Sequence, residues 1–145
     1  MAEQRTRFVG THEHGLDDKG RMVLPSKIRS QLGETGMLAM LDNCVGLWSL
    51  DGFDEMADEI HRRVDAKEVS MDAFRQFMAN AGEITPDQQG RVVIPQTLRD
   101  YAGLGSEAVI NGRHDLAEIW DKGRWAAKAP DGNVDLARSV AELGL

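Results

Sequence analysis

An aspartate, a glycine and an arginine stand at the same spacing twice in this chain, as Asp17-x-x-Gly20-Arg21 and as Asp87-x-x-Gly90-Arg91. Asp suits the first position of a tight turn and Gly the fourth, so each pentapeptide reads as a turn. Asp and Arg then flank three loop residues and face each other. An arginine held by a carboxylate in this way is aimed before any ligand arrives. It loses less side-chain freedom on meeting a phosphate or a guanine edge. Asp is a poor phosphate ligand, so Asp17 and Asp87 read as orienting groups and Arg21 and Arg91 as contacts; the alternative for each pair, strongest at Arg91, is an ion pair that merely fixes the turn. Lys19, at the tip of the first loop, adds a second cation.

The elements around these residues must hold the loop in place. Leu16 before the turn and Arg21-Met22-Val23-Leu24 after it read as strand ends, which predicts a hairpin with a short glycine-containing loop. Pro25 presets φ for a first helical turn. A short helix follows with Ile28 and Leu32 on one face and Gly33 as its stop. Asp87 to Gly103 repeats the plan seventy positions later, and seven of seventeen positions are identical. Agreement of that extent marks an internal repeat. Each copy alone offers a small core, so the two are expected to form one pseudo-twofold body.

With 17 basic and 24 acidic residues the net charge is −7, which argues against a simple basic nucleic-acid binder. The distribution matters more. The first 29 residues hold six basic groups (Arg5, Arg7, Lys19, Arg21, Lys27, Arg29) against four acidic ones (Glu3, Glu13, Asp17, Asp18). A basic edge on an acidic body can still focus a phosphate backbone. Lys27 and Arg29 lie on the short helix, where either a solvated face or a phosphate contact is consistent with the pattern. The lone Cys44 excludes an intrachain disulfide and suits a reducing cytosol. No apolar run reaches membrane-spanning length. His12 and His14 share one side of a strand, but no cysteine or carboxylate cluster completes a metal site. No nucleophile–base pair and no phosphate-cradling loop stands out, so an enzyme, a metal and a cofactor are not expected.

Elsewhere, Arg7 to Gly10 could open a strand. Met37–Leu41 and Val45–Leu50 read as two strands around an Asp42-Asn43 turn, and Asp51 as the cap of a helix with Phe53, Met56, Ile60 and Val64 inward. Ser70 caps a second helix carrying Met71, Phe74, Phe77 or Met78, and Ala81. In the second copy, Trp120 corresponds to Trp48 and Trp125 to Phe53 once two residues are inserted in the turn around Gly112-Arg113-His114. The tryptophans read as core. A last helix is expected from about 133 to 143, with Leu136, Val140 and Leu143 on one side. The expected division is 5–53 for the first repeat, 54–81 for connecting helices, 82–125 for the second repeat and 131–145 for the terminal helix.

Two copies of D-x-x-G-R-x-x-[LI]-P-x-x-x-R resemble the MraZ family of bacterial regulators. Phe8-x-Gly10, His14-x-Leu16-Asp17 and Glu118-Ile119-Trp120-Asp121 fit the same resemblance, which covers nearly the whole chain. It implies an α+β fold of two tandem AbrB/SpoVT-type (swapped-hairpin barrel) repeats with flanking helices. It further implies a sequence-specific transcriptional regulator of the cell-division and cell-wall gene cluster. Such a regulator binds double-stranded DNA at short direct repeats upstream of its own operon and assembles as a homo-oligomeric ring. The implied location is the cytoplasm, on the nucleoid. The DNA-binding residues so implied are Lys19, Arg21, Lys27, Arg29 and Arg91. The second copy has Gln89 and Thr97 where the first has Lys19 and Lys27, so the first is expected to carry more of the phosphate contact. The alternative is an AbrB-like antitoxin or a protein-interaction scaffold.

Overall fold

Each Asp-x-x-Gly turn closes, yet neither closes a hairpin. A computed structural model describes residues 6–144; residues 1–5, with Glu3 and Arg5 of the basic edge, and residue 145 lie outside the described residues. The Asp17 N–H donates to Arg21 O at 3.1 Å and the Gly20 N–H to Asp17 O at 3.0 Å, as the turn requires. The flanking strands β1 (Thr11–Gly15) and β2 (Arg21–Val23) then part and pair elsewhere. β1 runs antiparallel to β7 (Glu107–Gly112) of the second copy, and β2 to β6 (Arg91–Val93), its own counterpart. β5 (Gly82–Ile84) returns the exchange by pairing with β3 (Gly36–Leu41) of the first copy. The local hairpin expected from the sequence is therefore corrected to an exchange of strands between copies. A hairpin would leave Leu16, Met22 and Leu24 on one small sheet; exchange puts them in a common core with Ile84, Val92 and Ile94.

With β4 (Cys44–Ser49) and β8 (Ala117–Asp121), the result is a mixed α+β fold, a six-stranded antiparallel sheet in the order β1-β7-β8-β4-β3-β5 and the separate β2–β6 ribbon. The pairing is self-symmetric at two places. Gly46 faces Glu118 where β4 meets β8, and Met22 faces Val92 in the ribbon. Met37 pairs with Trp48, and Val109 with Trp120, so the later strands of the two copies are displaced by seventy-two positions while the motifs are displaced by seventy. The two extra residues thus lie between Gly103 and β7. The Gly112-Arg113-His114 turn, where the sequence places the insertion, does not hold it, because the two turns are equal in length once the ladders are matched.

Helices α1 (Ser26–Leu32) and α4 (Gln96–Ala102) start behind Pro25 and Pro95, both at φ −56°. They drive Ile28, Leu32, Leu98 and Ala102 into the core between the copies. The first copy continues into α2 (Leu50–Asp65) and α3 (Met71–Ala79). Ser49, and not Asp51, caps α2: its Oγ accepts from the Gly52 N–H at 3.1 Å. Asp51 instead sits in the first turn, against the positive end of the helix dipole. Seventy-two positions on, Asp121 caps α5 (Lys122–Leu143), the terminal helix, by accepting from the Arg124 N–H at 3.2 Å. Ser70 caps α3 as its type suggests. The terminal helix is longer than expected, running from Lys122 to Leu143 straight through Pro130. The helix forgoes one amide donor there, and Pro130-Asp131-Gly132, which looks like a break, is not one. Phe8 makes a single bridge to His114, and β1 begins only at Thr11. Gly112 allows that approach, since a side chain there would meet the Phe8–Val9 backbone.

Candidate nucleic-acid interface

The two motif arginines arrive on one surface because β2 and β6 pair with each other. Arg21 lies opposite Val93, and Val23 opposite Arg91. Strand alternation buries Met22 and Val92 and leaves all four of the others outward. The outer face of the ribbon is thus a square of two arginines on one diagonal and two valines on the other. Val23 is 40 % exposed and Val93 55 %, large values for valines on a sheet. Arg21, Arg91 and Asp17 also line one shallow depression with Gly15, Leu16 and Ser106.

Each arginine is held as its spacing suggests. Arg21 Nε donates to Asp17 Oδ2 at 2.6 Å, while Asp17 Oδ1 accepts the backbone N–H groups of Lys19 and Arg21. Arg91 Nε reaches Asp87 Oδ2 at 2.8 Å, and Asp87 Oδ1 accepts from Gln89 and Arg91. These donors, the Arg N–H first and the guanidinium second, hold both carboxyl groups below the usual Asp value. Only Nε is taken by the Asp in either pair, so the outer edge of each guanidinium faces solvent, with the side chains about half exposed. At Arg91 one further N–H is drawn to Gln89 Oε1 at 3.3 Å. Where the first loop adds a cation, the second adds a neutral group that occupies part of its arginine.

The other expected contacts separate into two kinds. Lys19 and Lys27 are exposed, the first in the loop and the second on α1. Arg29 is half-buried: its Nε donates to Leu24 O at 3.1 Å, and its guanidinium lies against Gly90 of the other copy's loop. Arg99, its counterpart, donates to Ile94 O at 2.9 Å and lies against Gly20. Val23, Val93 and Arg99 escaped the reading of the sequence. The signal for the valines was there, since Arg-x-Val recurs in both copies and alternation puts the pair on one face. His12 and His14 are half-buried on β1, and among the described residues no group of three potential metal ligands comes together. No helix among the described residues is long and apolar enough to cross a membrane.

Comparison with known proteins bears on most of the chain. The family model described as "MraZ protein, putative antitoxin-like" matches residues 7–75 and 77–130. A protein of Acetivibrio thermocellus named "Transcriptional regulator MraZ" is 40 % identical over 137 residues, covering 93 % of this chain and 94 % of its own. A Bifidobacterium longum protein of the same name is 40 % identical over 144 residues, 97 % and 96 % of the two chains. One from Clavibacter michiganensis subsp. michiganensis is 41 % identical over 119 residues, 81 % and 83 %. Two segments matched in tandem, breaking at residue 76 between the two motif copies, agree with the repeat seen in the fold: this chain belongs to the MraZ family.

Proposed function

We propose that the chain is a transcriptional regulator, and not an enzyme, that grips double-stranded DNA with the outer face of the β2–β6 ribbon. One observation carries this reading: two Asp-held arginines stand on a single exposed two-stranded ribbon with their outer edges turned to solvent, Arg91's partly engaged by Gln89. A major groove admits such a ribbon, and a guanidinium edge matches guanine or phosphate oxygens. Arg21, Arg91 and Lys19 are the contacts, with Lys27 reaching the backbone alongside. Asp17 and Asp87 orient. Arg29 can offer only the edge that Leu24 O does not hold. The finer picture follows the family resemblance. Each copy is an AbrB-type half of one barrel-like body, and the DNA is a set of short direct repeats upstream of the protein's own cell-division and cell-wall operon. Several chains then act together in a ring on the nucleoid, since linked sites raise avidity.

A second reading, an AbrB-like antitoxin or interaction scaffold, has its own observation. Helix α5 leaves Val134, Leu136 and Leu143 59–71 % exposed, the kind of surface a protein partner covers. Arg21→Ala separates the two. On the DNA reading, Arg21→Ala weakens duplex binding and flattens the slope of log affinity against log salt by about 0.9 for each phosphate that is no longer neutralised. If Arg21 reads guanine, the loss is about 1–3 kcal/mol and confined to the specific sequence. Asp17→Ala weakens binding as well, although it removes a negative charge. A scaffold would bind no duplex to begin with, and Arg21→Ala would change only its melting temperature.

A further inference from the structure

We infer that Arg29 and Arg99 are positioning residues that work across the repeat: Arg99 sets the loop that presents Arg21, and Arg29 sets the loop that presents Arg91. Gly20 and Gly90 are both buried at φ near +80°, unusual for glycines at the tips of exposed loops. They are buried because an arginine of the other copy covers them. A Cβ on Gly20 would lie 2.6 Å from Arg99 Nε and 2.8 Å from its Cζ; one on Gly90 would lie 2.7 Å from the same atoms of Arg29. Each guanidinium therefore lies flat against a glycine that no other residue could replace without displacing it.

Hydrogen bonds fix the arrangement from both sides. Arg99 Nε donates to Ile94 O at 2.9 Å and its Nη1 reaches Asp18 O at 3.4 Å, inside the first loop. The Ile94 N–H donates to Gly20 O at 2.8 Å, and in mirror fashion the Leu24 N–H donates to Gly90 O at 2.9 Å. The residue after each clamped glycine is the motif arginine. Arg21 is thus aimed by Asp17 from its own copy and, through Gly20, by Arg99 from the other. A guanidinium is suited to this work, since it is planar, always charged and able to donate along one edge while stacking on a backbone face. Lysine could supply the charge but neither the plane nor the fork.

This rests on the DNA reading of the ribbon, and a mutant cycle tests the two separately. The full-length chain is titrated against a duplex spanning the DNA directly upstream of its gene, and against a mixed-sequence duplex of equal length. The variants are Arg21→Ala, Arg91→Ala, Arg99→Ala and Arg99→Lys, with Arg99→Ala combined with each of the first two. The expected result is that Arg99→Ala weakens upstream binding by about tenfold or more, as Arg21→Ala does. The Arg21/Arg99 double variant should bind no worse than Arg21→Ala alone, because the aim of an absent arginine cannot matter. The Arg91/Arg99 double variant should lose the product of its single effects. A general loss of fold would treat both partners alike, so this selectivity is what a merely structural arginine lacks. Arg99→Lys keeps the charge, and should keep most of the melting temperature while losing affinity as Arg99→Ala does; it replaces Arg99→Ala throughout if that variant does not fold. Multiplying effects in the Arg21/Arg99 pair, or full rescue by lysine, overturns the inference while leaving the ribbon as the DNA face. An Arg21→Ala variant that binds like the parent overturns both.

Discussion

On the first copy's outer sheet face Trp48 stands edge-on to Phe53 at 5.6 Å and to Phe77 at 6.4 Å, and Phe77 stacks on Phe53 at 6.2 Å. On the second, Trp120 meets Trp125 at 5.8 Å and no third ring joins them among the described residues. The difference follows from what lies seventy-two positions apart. Met56 corresponds to Lys128, Ile60 to Gly132, Ala39 to Asn111 and Gly46 to Glu118. Helix α3 supplies Phe77, which with the adjoining Ala81 packs against the first face's aromatic cluster. After α5 there is no equivalent helix among the described residues. A half-open cavity of about 390 Å³ lies there instead, lined by Glu118, Trp120, Trp125, Lys128 and Gly132 among others. The same backbone thus carries one face finished in apolar rings and one left polar. Lys128 Nζ sits over Trp120 at 5.7 Å, and the Trp120 Nε1–H donates to Glu118 Oε1. The core shared between the copies is untouched by this asymmetry, so the second face could change chemistry without undoing the fold.

The sharpest way to break the comparison is to truncate the two equivalent rings. Phe53 is 4 % exposed and packed between two aromatics, so Phe53→Ala should cost about 3–5 kcal/mol in a denaturant melt. Trp125 is larger but half-buried beside open space, and Trp125→Ala should cost about 1–2 kcal/mol, because fewer atoms surround it and no closed void remains. Equal losses would mean that the second face is as tightly packed as the first.

A smaller effect, of opposite sign, is expected at Asn111. It is 5 % exposed, and neither its Nδ2 nor its Oδ1 has a partner among the described protein groups. Its counterpart in the first copy is Ala39, within the aromatic cluster. Burying an amide without a partner costs about 1–3 kcal/mol, so Asn111→Ala should leave the melting temperature unchanged or raise it. A fall of several degrees would show that the amide is satisfied in the folded chain.

Much of the loop geometry was legible because each motif residue has a single strong preference. Asp opens a turn, Gly20 and Gly90 take the positive φ, and Pro25 and Pro95 start helices that run only seven residues. The Asp–Arg pairing follows from those constraints alone. The partner of each strand does not, because the turn hydrogen bonds are the same whether β1 folds back on β2 or crosses to β7. Ser49 and Asp51 are both good cap residues two positions apart, and type alone cannot choose between them. For Arg29 the pattern leaves a solvated face and a phosphate contact equally open, and neither is the role its packing gives it. Only the burial of Gly90, a fact of the assembled copies, reveals what it covers. The terminal helix starts well before 133 because Asp121 caps it, and one amide bond forgone at Pro130 does not end it.

The finest distinction between the two faces can be read at Cys44, whose counterpart on the first face is Leu116. Leu116 packs with Trp48 and Phe53, whereas Cys44 is fully buried on the second side with Glu118 beside it. Burial first, and the Glu118 carboxylate second, push its thiol up to about 12. In the unfolded chain a cysteine ionises at roughly 8.5. The sign follows from linkage: the unfolded thiol sheds its proton first, so this contribution is complete below about 8.5 and is lost as pH climbs towards 12. At neutral pH folded and unfolded chains both keep the proton, so stability does not vary with pH through this group, and the thiol should resist alkylation until the chain opens. Between about pH 9 and pH 11 the parent should melt progressively lower, and Cys44→Ala should show a flatter decline over that range. Glu118→Gln should flatten it only slightly, because desolvation outweighs the charge. If Glu118→Gln removed as much of the slope as Cys44→Ala, the second face would be wet and its electrostatics, not its burial, would govern the thiol. Melts at four or five pH values, each repeated with both variants, decide between a buried polar face and a solvated one.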